Sequence, residues 1–357
     1  MALLKSLLKL LGGTRAPDAK LPEPGSARRR PSDAAPAAPA VRTAPATVRT
    51  HLRVAPQPAP ARDGPSPLDG DVDRRFTALL LGVGVLRTAE AEPAERRVIG
   101  QIEEMVGGGG DPSLVPRLPF VLPRLMSLLR RDDVAPRELA EQLSPDPTLV
   151  GEVVRMANSP RYRSGRDVAD LHEAVMLLGQ RGLSQIVINA AMRPIFSARQ
   201  GRFSQIAGTT VWDVTERCSS ACACLGGDEV DRFQAYLAGM ATNIGLIVVL
   251  RLLDNGYRER QPPDTVAFHD ALHRVSARLS GRIARQWNFP PMVCQAVLRQ
   301  AEARGGPADD ELTRLLRAAD RISKWHVLEP GRVGDGLAGL DEPERLCYSE
   351  LERAFGR

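Results

Sequence analysis

The 357-residue sequence contains few aromatic residues and no cysteine framework. Phe, Trp and Tyr together make up 4% of the chain, so the core must consist mainly of aliphatic side chains. The five cysteines are an odd number without regular spacing, and no secretory signal pattern precedes them. These absences exclude a disulfide-stapled extracellular scaffold and predict a reduced, cytoplasmic protein.

The sequence also lacks the common catalytic signatures. It has no GxSxG, HExxH, phosphate-loop or kinase pattern. Gly82 and Gly84 lack the third glycine and the preceding strand that a dinucleotide-binding loop requires. No alternating apolar and polar pattern competes with the helical periodicity of the main domain, so we predict an all-α fold.

The net charge of +5 comes from one end of the chain. Residues 1–70 contain 11 Lys and Arg against 5 Asp and Glu, whereas residues 71–357 contain 37 against 38. The folded part therefore carries no basic stripe that would indicate nucleic-acid binding, and no nucleic acid is expected as a partner.

The N-terminal region divides into two predicted segments. Residues 1–11, MALLKSLLKLL, place five leucines on one helical face opposite Lys5 and Lys9. This short amphipathic helix is either a reversible hook for an anionic membrane surface or a partner's groove, or a frayed terminal helix. Residues 12–70 are rich in Pro, Ala and Arg without periodicity, which predicts disorder.

The pattern of the remaining sequence predicts a series of consecutive helices. Residues 71–107 form a helical segment, residues 113–328 the main domain and residues 329–357 a C-terminal tail. The segment from Ser144 to Tyr162 is the most strongly patterned, with an apolar stripe from Leu149 to Ala157. The helices of the main domain, including the one in this segment, are predicted over 118–130, 136–143, 147–158, 170–178, 181–196, 205–225, 235–250, 290–303 and 309–325.

The run LPRLMSLLRRDDVAPRELAEQLSPDPTLVGEVVRMANSP, followed by LHEAVMLLGQRGLSQIVI, resembles the HDOD domain. This is a bacterial signalling module related to the HD-type metal phosphohydrolases, and the similarity covers roughly residues 113–305. It implies an HDOD/HD-like helical bundle. The positions that it implies to be structural motif residues are Asp146, Pro147, Asn158, Ser159, Gly179, Gly239, Gly245, Trp287 and Pro290.

The same resemblance implies that the hydrolytic site is degenerate. Catalytic relatives bind a divalent metal through an adjacent His-Asp pair, which activates water. The matching positions here are Thr242 and Asn243, and the further family histidines fall near Ser276 and near Gln300 and Ala301. The resemblance therefore implies no metal, no cofactor and no enzymatic activity.

Other metal-binding interpretations of the sequence are weak. His269 and His273 in HDALH share a helix face, but Asp270 replaces the glutamate of the zinc motif, so solvent-facing histidines are expected. Cys218 and Cys222 lie on an apolar stripe and are expected in the core, with Cys224 beside them. The uncharged stretch from Ala235 to Leu250 is too short for a membrane span and is expected to be a buried central helix.

The expected function is a regulatory module of bacterial signal transduction that works by binding other signalling proteins. Two alternatives remain at this point. One is a nucleotide-sensing domain, for example for a cyclic dinucleotide; the other is a residual metal-dependent phosphohydrolase. The expected location is cytoplasmic, with peripheral contact at the inner face of the membrane through residues 1–11.

Overall fold

A computed structural model describes residues 68–107, 116, 136–144, 147–159, 167–197, 201–226, 230–302, 310–330 and 340–356. Within these ranges the chain forms α-helices and an isolated parallel bridge between Arg87 and Thr265. The predicted all-α fold is therefore confirmed for this part. The predicted segments 1–11 and 118–130, residues 12–67 of the predicted disordered segment 12–70, and Asp146 lie outside the described residues. Residues 68–70 of that segment are helical.

The helices, numbered in chain order, have the following bounds. They are α1 Leu68–Leu81, α2 Pro93–Gly107, α3 Pro136–Leu143, α4 Pro147–Ala157, α5 Leu171–Phe196, α6 Ser204–Leu225, α7 Arg232–Thr242, α8 Ile244–Gly256, α9 Val266–Gln286, α10 Pro291–Arg299, α11 Glu311–Leu328 and α12 Glu342–Phe355.

Helix α4 ends where its sequence predicts. Asn158 follows its last residue, and its side chain donates from Nδ2 to the carbonyl of Val168 at 2.8 Å and accepts from the Val168 amide at 2.7 Å. Ser159 Oγ donates back to the carbonyl of Met156 at 2.7 Å. These contacts stop the helix and hold the chain just before α5 against it.

Helix α5 contains a bend that the sequence marks with a glycine. Gly179 has φ 64° and ψ −178°, values outside the helical region, while the helix continues on either side. The backbone breaks at Gly179, so the helices predicted over residues 170–178 and 181–196 are confirmed as two segments on either side of this kink. Only glycine adopts this backbone conformation without steric cost.

The segment that precedes the main domain is fastened to it by buried polar contacts. The Glu95 carboxylate on α2 is 1% exposed. It accepts from the backbone amide of Asp264 at 2.9 Å and from the hydroxyl of Thr265 at 2.7 Å. On α1, Arg74 donates twice to Asp270 of α9, at 2.7 and 2.8 Å. Helices α1 and α2 are therefore built into the bundle.

The uncharged stretch from Ala235 to Leu250 is buried as predicted, but it is not one helix. It divides at Asn243, where α7 ends and α8 begins. Ser280 of α9 bridges the break: its hydroxyl donates to the Thr242 carbonyl at 2.7 Å and accepts from the Gly245 amide at 2.8 Å. The tertiary contact supplies hydrogen bonds that a continuous helix would make internally.

The two glycines of this stretch lie where helices meet closely. A Cβ on Gly239 would lie 2.5 Å from the Cα of Ser219, and one on Gly245 would lie 2.1 Å from the carbonyl oxygen of Ser276. By length and composition the segment Arg232–Gly256 could cross a membrane, yet 94% of its most apolar 18-residue window is buried inside the protein.

The α9–α10 turn contains the remaining motif residues. Trp287 caps the end of α9 and its indole nitrogen donates to the carbonyl of Pro116 at 3.1 Å. Pro290 is the N-cap of α10, where the lack of an amide proton costs no hydrogen bond. Cys218 and Cys222 are fully buried in α6, which confirms that they are core residues.

Candidate functional site

A small cavity of about 20 Å³ lies at the junction of α7 and α8. Helices α1, α9 and α11 enclose it together with the residue that follows α10. The side chains that decide its chemistry are Thr77, Thr242, Asn243, Ser276, Asp320 and Lys324.

The structure brings together most of the positions that the resemblance assigned to the former metal site. Thr242 and Asn243 line this cavity, and so do Ser276 and Gln300. Ala301 is not among the described residues that line it. Motif residues Asn158, Ser159 and Gly179 lie elsewhere, in and around α4 and α5, and Trp287 and Pro290 lie in the α9–α10 turn.

A buried ionic triad adjoins this cavity, which two of its members, Asp320 and Lys324, line. The ammonium nitrogen of Lys324 is 2.8 Å from Oδ1 of Asp73 and 2.5 Å from Oδ2 of Asp320. The three side chains are 5%, 9% and 4% exposed, respectively. Nε2 of His273 lies 3.6 Å from the other oxygen of Asp73. A buried cation is stable only when paired in this way.

The two carboxylates keep Lys324 charged. Burial by itself lowers the pKa of Lys324, but the attraction and hydrogen bonds of Asp320 and Asp73 outweigh it, so the pKa lies above its ordinary value. Nζ also lies 5.8 Å from the ring centroid of Phe76, a distance at which a cation–π attraction contributes. Lys324 therefore stays protonated at neutral pH.

Three polar atoms of this cavity have no hydrogen-bond partner among the described residues. They are Nδ2 of Asn243, Oγ of Ser276 and Oδ1 of Asp320, and each belongs to a side chain at most 6% exposed. A cavity of about this volume accommodates one water molecule, whose two to four hydrogen bonds would satisfy such atoms. A nucleotide or phosphate ester does not fit into it.

The residues of the cavity do not fit the divalent metal of catalytic relatives. A hydroxyl and an amide at Thr242 and Asn243 replace the imidazole and carboxylate, and the two nearby carboxylates already bind Lys324. Among the described residues, no group of three or more His, Cys, Asp or Glu side chains is arranged to hold a metal ion. No hydrolytic step can be derived from this set.

The expectation of solvent-facing histidines in HDALH was wrong for His269. This side chain is 1% exposed, because α1 covers α9 at this point. Its Nδ1 lies 2.7 Å from the hydroxyl of Thr77 and its Nε2 lies 3.1 Å from the carbonyl of Pro263. Burial lowers the pKa of His269 more than the contact with Pro263 raises it. It is a neutral structural histidine with both nitrogens engaged.

The ionic triad is the feature that the sequence did not reveal. Asp73 and Lys324 are 251 positions apart, so no local pattern connects them. Asp320 and Lys324 do carry a signal, since they continue at four-residue spacing the row of Leu312 and Leu316 on α11. Charges on an apolar row indicate a buried pair.

A separate open groove of about 910 Å³ lies along the end of α9, the following turn and α10. Arg285, Phe289, Leu298, Arg299 and Glu302 are among the residues that line it. Arg299 is already paired with Asp310 at 3.4 Å. The groove has the volume of a ligand site but little unpaired positive charge.

Comparisons with known proteins agree with this architecture. A sequence model of the HDOD domain matches residues 115–303. An uncharacterised protein from Treponema pallidum (strain Nichols) is 23% identical over 197 residues, which are 51% of this chain and 37% of that protein. The chain thus corresponds to little more than a third of this relative's length.

Two solved structures have a similar fold. An HDOD domain protein of unknown function from Geobacter sulfurreducens has a TM-score of 0.51 at 19% identity, covering 72% of this chain and 95% of its own. A protein from Shewanella amazonensis SB2B, whose name assigns it to the metal-dependent phosphohydrolases, has a TM-score of 0.52 at 18% identity, covering 74% and 99%. At these identities the similarity concerns the fold alone.

Proposed function

The chain belongs to the HDOD family, and we propose on that premise that it is a non-catalytic regulatory module of bacterial signal transduction that acts by binding other proteins. The observation that carries the proposal is the composition of the cavity at Thr242 and Asn243. Lys324, held by Asp73 and Asp320, borders this cavity, whereas catalysis would require a metal with an open coordination position.

The groove beside α10 supports recognition of a protein in preference to a nucleotide. It is open and lined by apolar side chains such as Phe289 and Leu298. Of its two arginines, Arg299 is paired with Asp310, and Glu302 adds negative charge to the rim. Two phosphates of a cyclic dinucleotide would require more convergent donors than Arg285 alone supplies.

Affinity capture in the native host tests partner binding. The full chain and its Arg285→Glu variant serve as matched baits after in-cell crosslinking, because the exposed groove tolerates this change without loss of the core. We expect a signalling protein to be enriched with the wild-type bait and depleted with the variant. Identical proteins recovered at equal yield with both baits would contradict a role of this groove in binding.

A phosphodiesterase assay tests the absence of catalysis independently. Purified full-length protein, supplied with manganese or magnesium, is incubated with bis-p-nitrophenyl phosphate and with cyclic dinucleotides. We expect no turnover above that of the Asp320→Asn variant. A metal-dependent rate that this substitution abolishes would establish the residual phosphohydrolase instead.

The groove volume keeps nucleotide sensing as the second candidate. A site of this volume accommodates a ligand of nucleotide size. Titration calorimetry of the full chain with a panel of cyclic dinucleotides separates the two functions. Saturable binding that Arg285→Glu removes would favour the nucleotide, whereas protein recognition predicts no heat of binding.

The membrane hook is proposed from the sequence alone, since residues 1–11 lie outside the described residues. Vesicles containing phosphatidylserine are the probe. If the hook is correct, deletion of residues 1–11 will reduce cosedimentation of the chain with these vesicles, and replacement of Lys5 and Lys9 by glutamate will have the same effect. Equal partitioning of all three forms would exclude it.

A further inference from the structure

We propose that the ammonium group of Lys324 is the built-in cation of the degenerate site and supplies the positive charge that a bound divalent metal provides in catalytic relatives. The inference concerns the electrostatics of the cavity and stands independently of any partner. It predicts that the native protein does not take up a metal there, and that removal of the ammonium exposes a latent cation site.

The geometry supports a replacement of charge. Lys324 Nζ contacts one oxygen each of Asp73 and Asp320. Lys324 and Asp320 line the same small cavity as Thr242 and Asn243, and Asp73 adjoins it through Lys324. These carboxylates are oxygen ligands of the kind that hard cations bind. With Lys324 present, one of their two negative charges is compensated without any bound ion.

A second observation indicates that this cavity can receive a small polar ligand. Asn243 Nδ2, Ser276 Oγ and Asp320 Oδ1 are buried and have no partner among the described residues. Truncation of Lys324 would add the volume of its side chain to a cavity of about 20 Å³ that the residues of these polar atoms already line. His273, 3.6 Å from Asp73, is a further potential ligand beside it.

Helix α1 contributes half of the carboxylate charge. Asp73 belongs to this helix, which precedes residues 115–303, the part matched by the family. Asp320 belongs to α11, which follows them. The cation therefore links two elements outside the matched region across the former metal site. We infer that Lys324 and α1 act together to exclude a metal ion from this site.

Manganese binding tests the inference directly. The full chain and its Lys324→Ala variant are stripped with chelator, equilibrated with Mn²⁺ and measured by electron paramagnetic resonance and by thermal unfolding. We expect no bound Mn²⁺ and no shift of Tm for the wild type. The variant should bind Mn²⁺ stoichiometrically and gain thermal stability with it.

Matched variants identify the ligands. Lys324→Ala combined with Asp73→Asn or with Asp320→Asn should bind Mn²⁺ about tenfold or more weakly than Lys324→Ala alone. Lys324→Arg retains a cation and should bind none. Stoichiometric Mn²⁺ in the wild type would overturn the proposal, and so would a folded Lys324→Ala protein that binds none.

A refolding experiment covers the case in which Lys324→Ala does not fold by itself. The variant is refolded with ethylammonium, with Mn²⁺ or with ethanol as an uncharged control. A need for positive charge predicts recovery of folded protein with either cation and none with ethanol. Failure of both cations, or equal recovery with ethanol, would show that the lysine acts through its shape and would overturn the proposal.

Discussion

The hydroxyl of Thr77 lies 2.7 Å from Nδ1 of His269 and joins helix α1 to helix α9 in the interior. With Nε2 of His269 directed at the carbonyl of Pro263, the neutral ring donates from Nε2 and accepts the threonine proton at Nδ1. A protonated ring would donate from both nitrogens. The Thr77 hydroxyl also lies 3.1 Å from the carbonyls of Asp73 and Arg74, to which it can donate while accepting from Nδ1, so the hydrogen bond by itself does not fix the charge of the ring. Burial of His269 is what lowers its pKa and keeps it neutral.

This arrangement predicts loss of stability on acidification. The folded-state pKa of His269 lies below its ordinary value, so the unfolded chain binds more protons than the folded one. The contribution of the neutral ring to the unfolding free energy is fully present above a pH of about 6.5, the pKa in the unfolded chain, and is lost as the pH falls from there to the lower pKa of the folded state. Urea unfolding between pH 7.5 and 5 should show the unfolding free energy decreasing as the pH falls. His269→Gln should make the slope of unfolding free energy against pH less steep.

His326 contributes to the same pH dependence, because burial, together with the charge of Arg217, lowers its pKa. His326→Gln should reduce the slope further. Replacement of the exposed His172 by glutamine is the matched control for the loss of a histidine. Equal slopes for the wild type and both buried-site variants would contradict the proposed role of these rings.

Breaking the ionic triad should destabilise the protein strongly. Lys324→Met keeps the side chain's length but leaves Asp73 and Asp320 buried without their cation, which should cost about 3–5 kcal/mol of unfolding free energy. Adding Asp73→Asn and Asp320→Asn removes both orphan charges and should restore most of the loss. Denaturant unfolding of both forms measures this; a triple variant no more stable than Lys324→Met would contradict it.

A methyl group at Gly245 should separate α8 from α9. Its carbon would lie 2.1 Å from the Ser276 carbonyl oxygen and 2.5 Å from the Ser280 amide nitrogen, and both groups belong to helix backbone that moves only with α9. Gly245→Ala should therefore lower the unfolding free energy by about 1–3 kcal/mol. Gly151→Ala, on the exposed face of α4 with no atom within 4 Å, should instead raise it by up to about 1 kcal/mol.

The side chain of Asn158 should protect the backbone that leads into α5. Asn158→Ala removes its two hydrogen bonds to Val168 and should cost about 1–3 kcal/mol, with faster hydrogen exchange at the Val168 amide. Ser159→Ala removes one hydrogen bond within its own turn and should leave that amide protected. Unchanged exchange in Asn158→Ala would contradict this role.

The family and the all-α fold were predictable because their signals are local. The stripe from Leu149 to Ala157 and the proline and asparagine at its ends are confined to one helix, which begins and ends where the sequence predicts. The break at Asn243 was not predictable, because the uncharged sequence has the pattern of one continuous helix. The hydrogen bonds that compensate for the break come from Ser280 of another helix. Local patterns report helices, whereas tertiary partners decide where they are interrupted.

The cavity was predictable only in part for the same reason. The resemblance identified Thr242, Asn243, Ser276 and Gln300, and the structure places all four around one cavity. The cation and its first carboxylate come from distant parts of the chain. The burial of His269 also depends on α1, a helix outside the segment that resembles the family.

The positions of Asp73 and Glu95 determine how far the chain can be shortened from its N-terminus. A fragment cut at residue 115, the border that family similarity suggests, would strand the Lys324 ammonium beside a single carboxylate. It would also leave the amide of Asp264 without its acceptor. Poor expression of such a fragment would result from the loss of α1 and α2, which pack against the main domain. A shortened protein should therefore start upstream of Leu68.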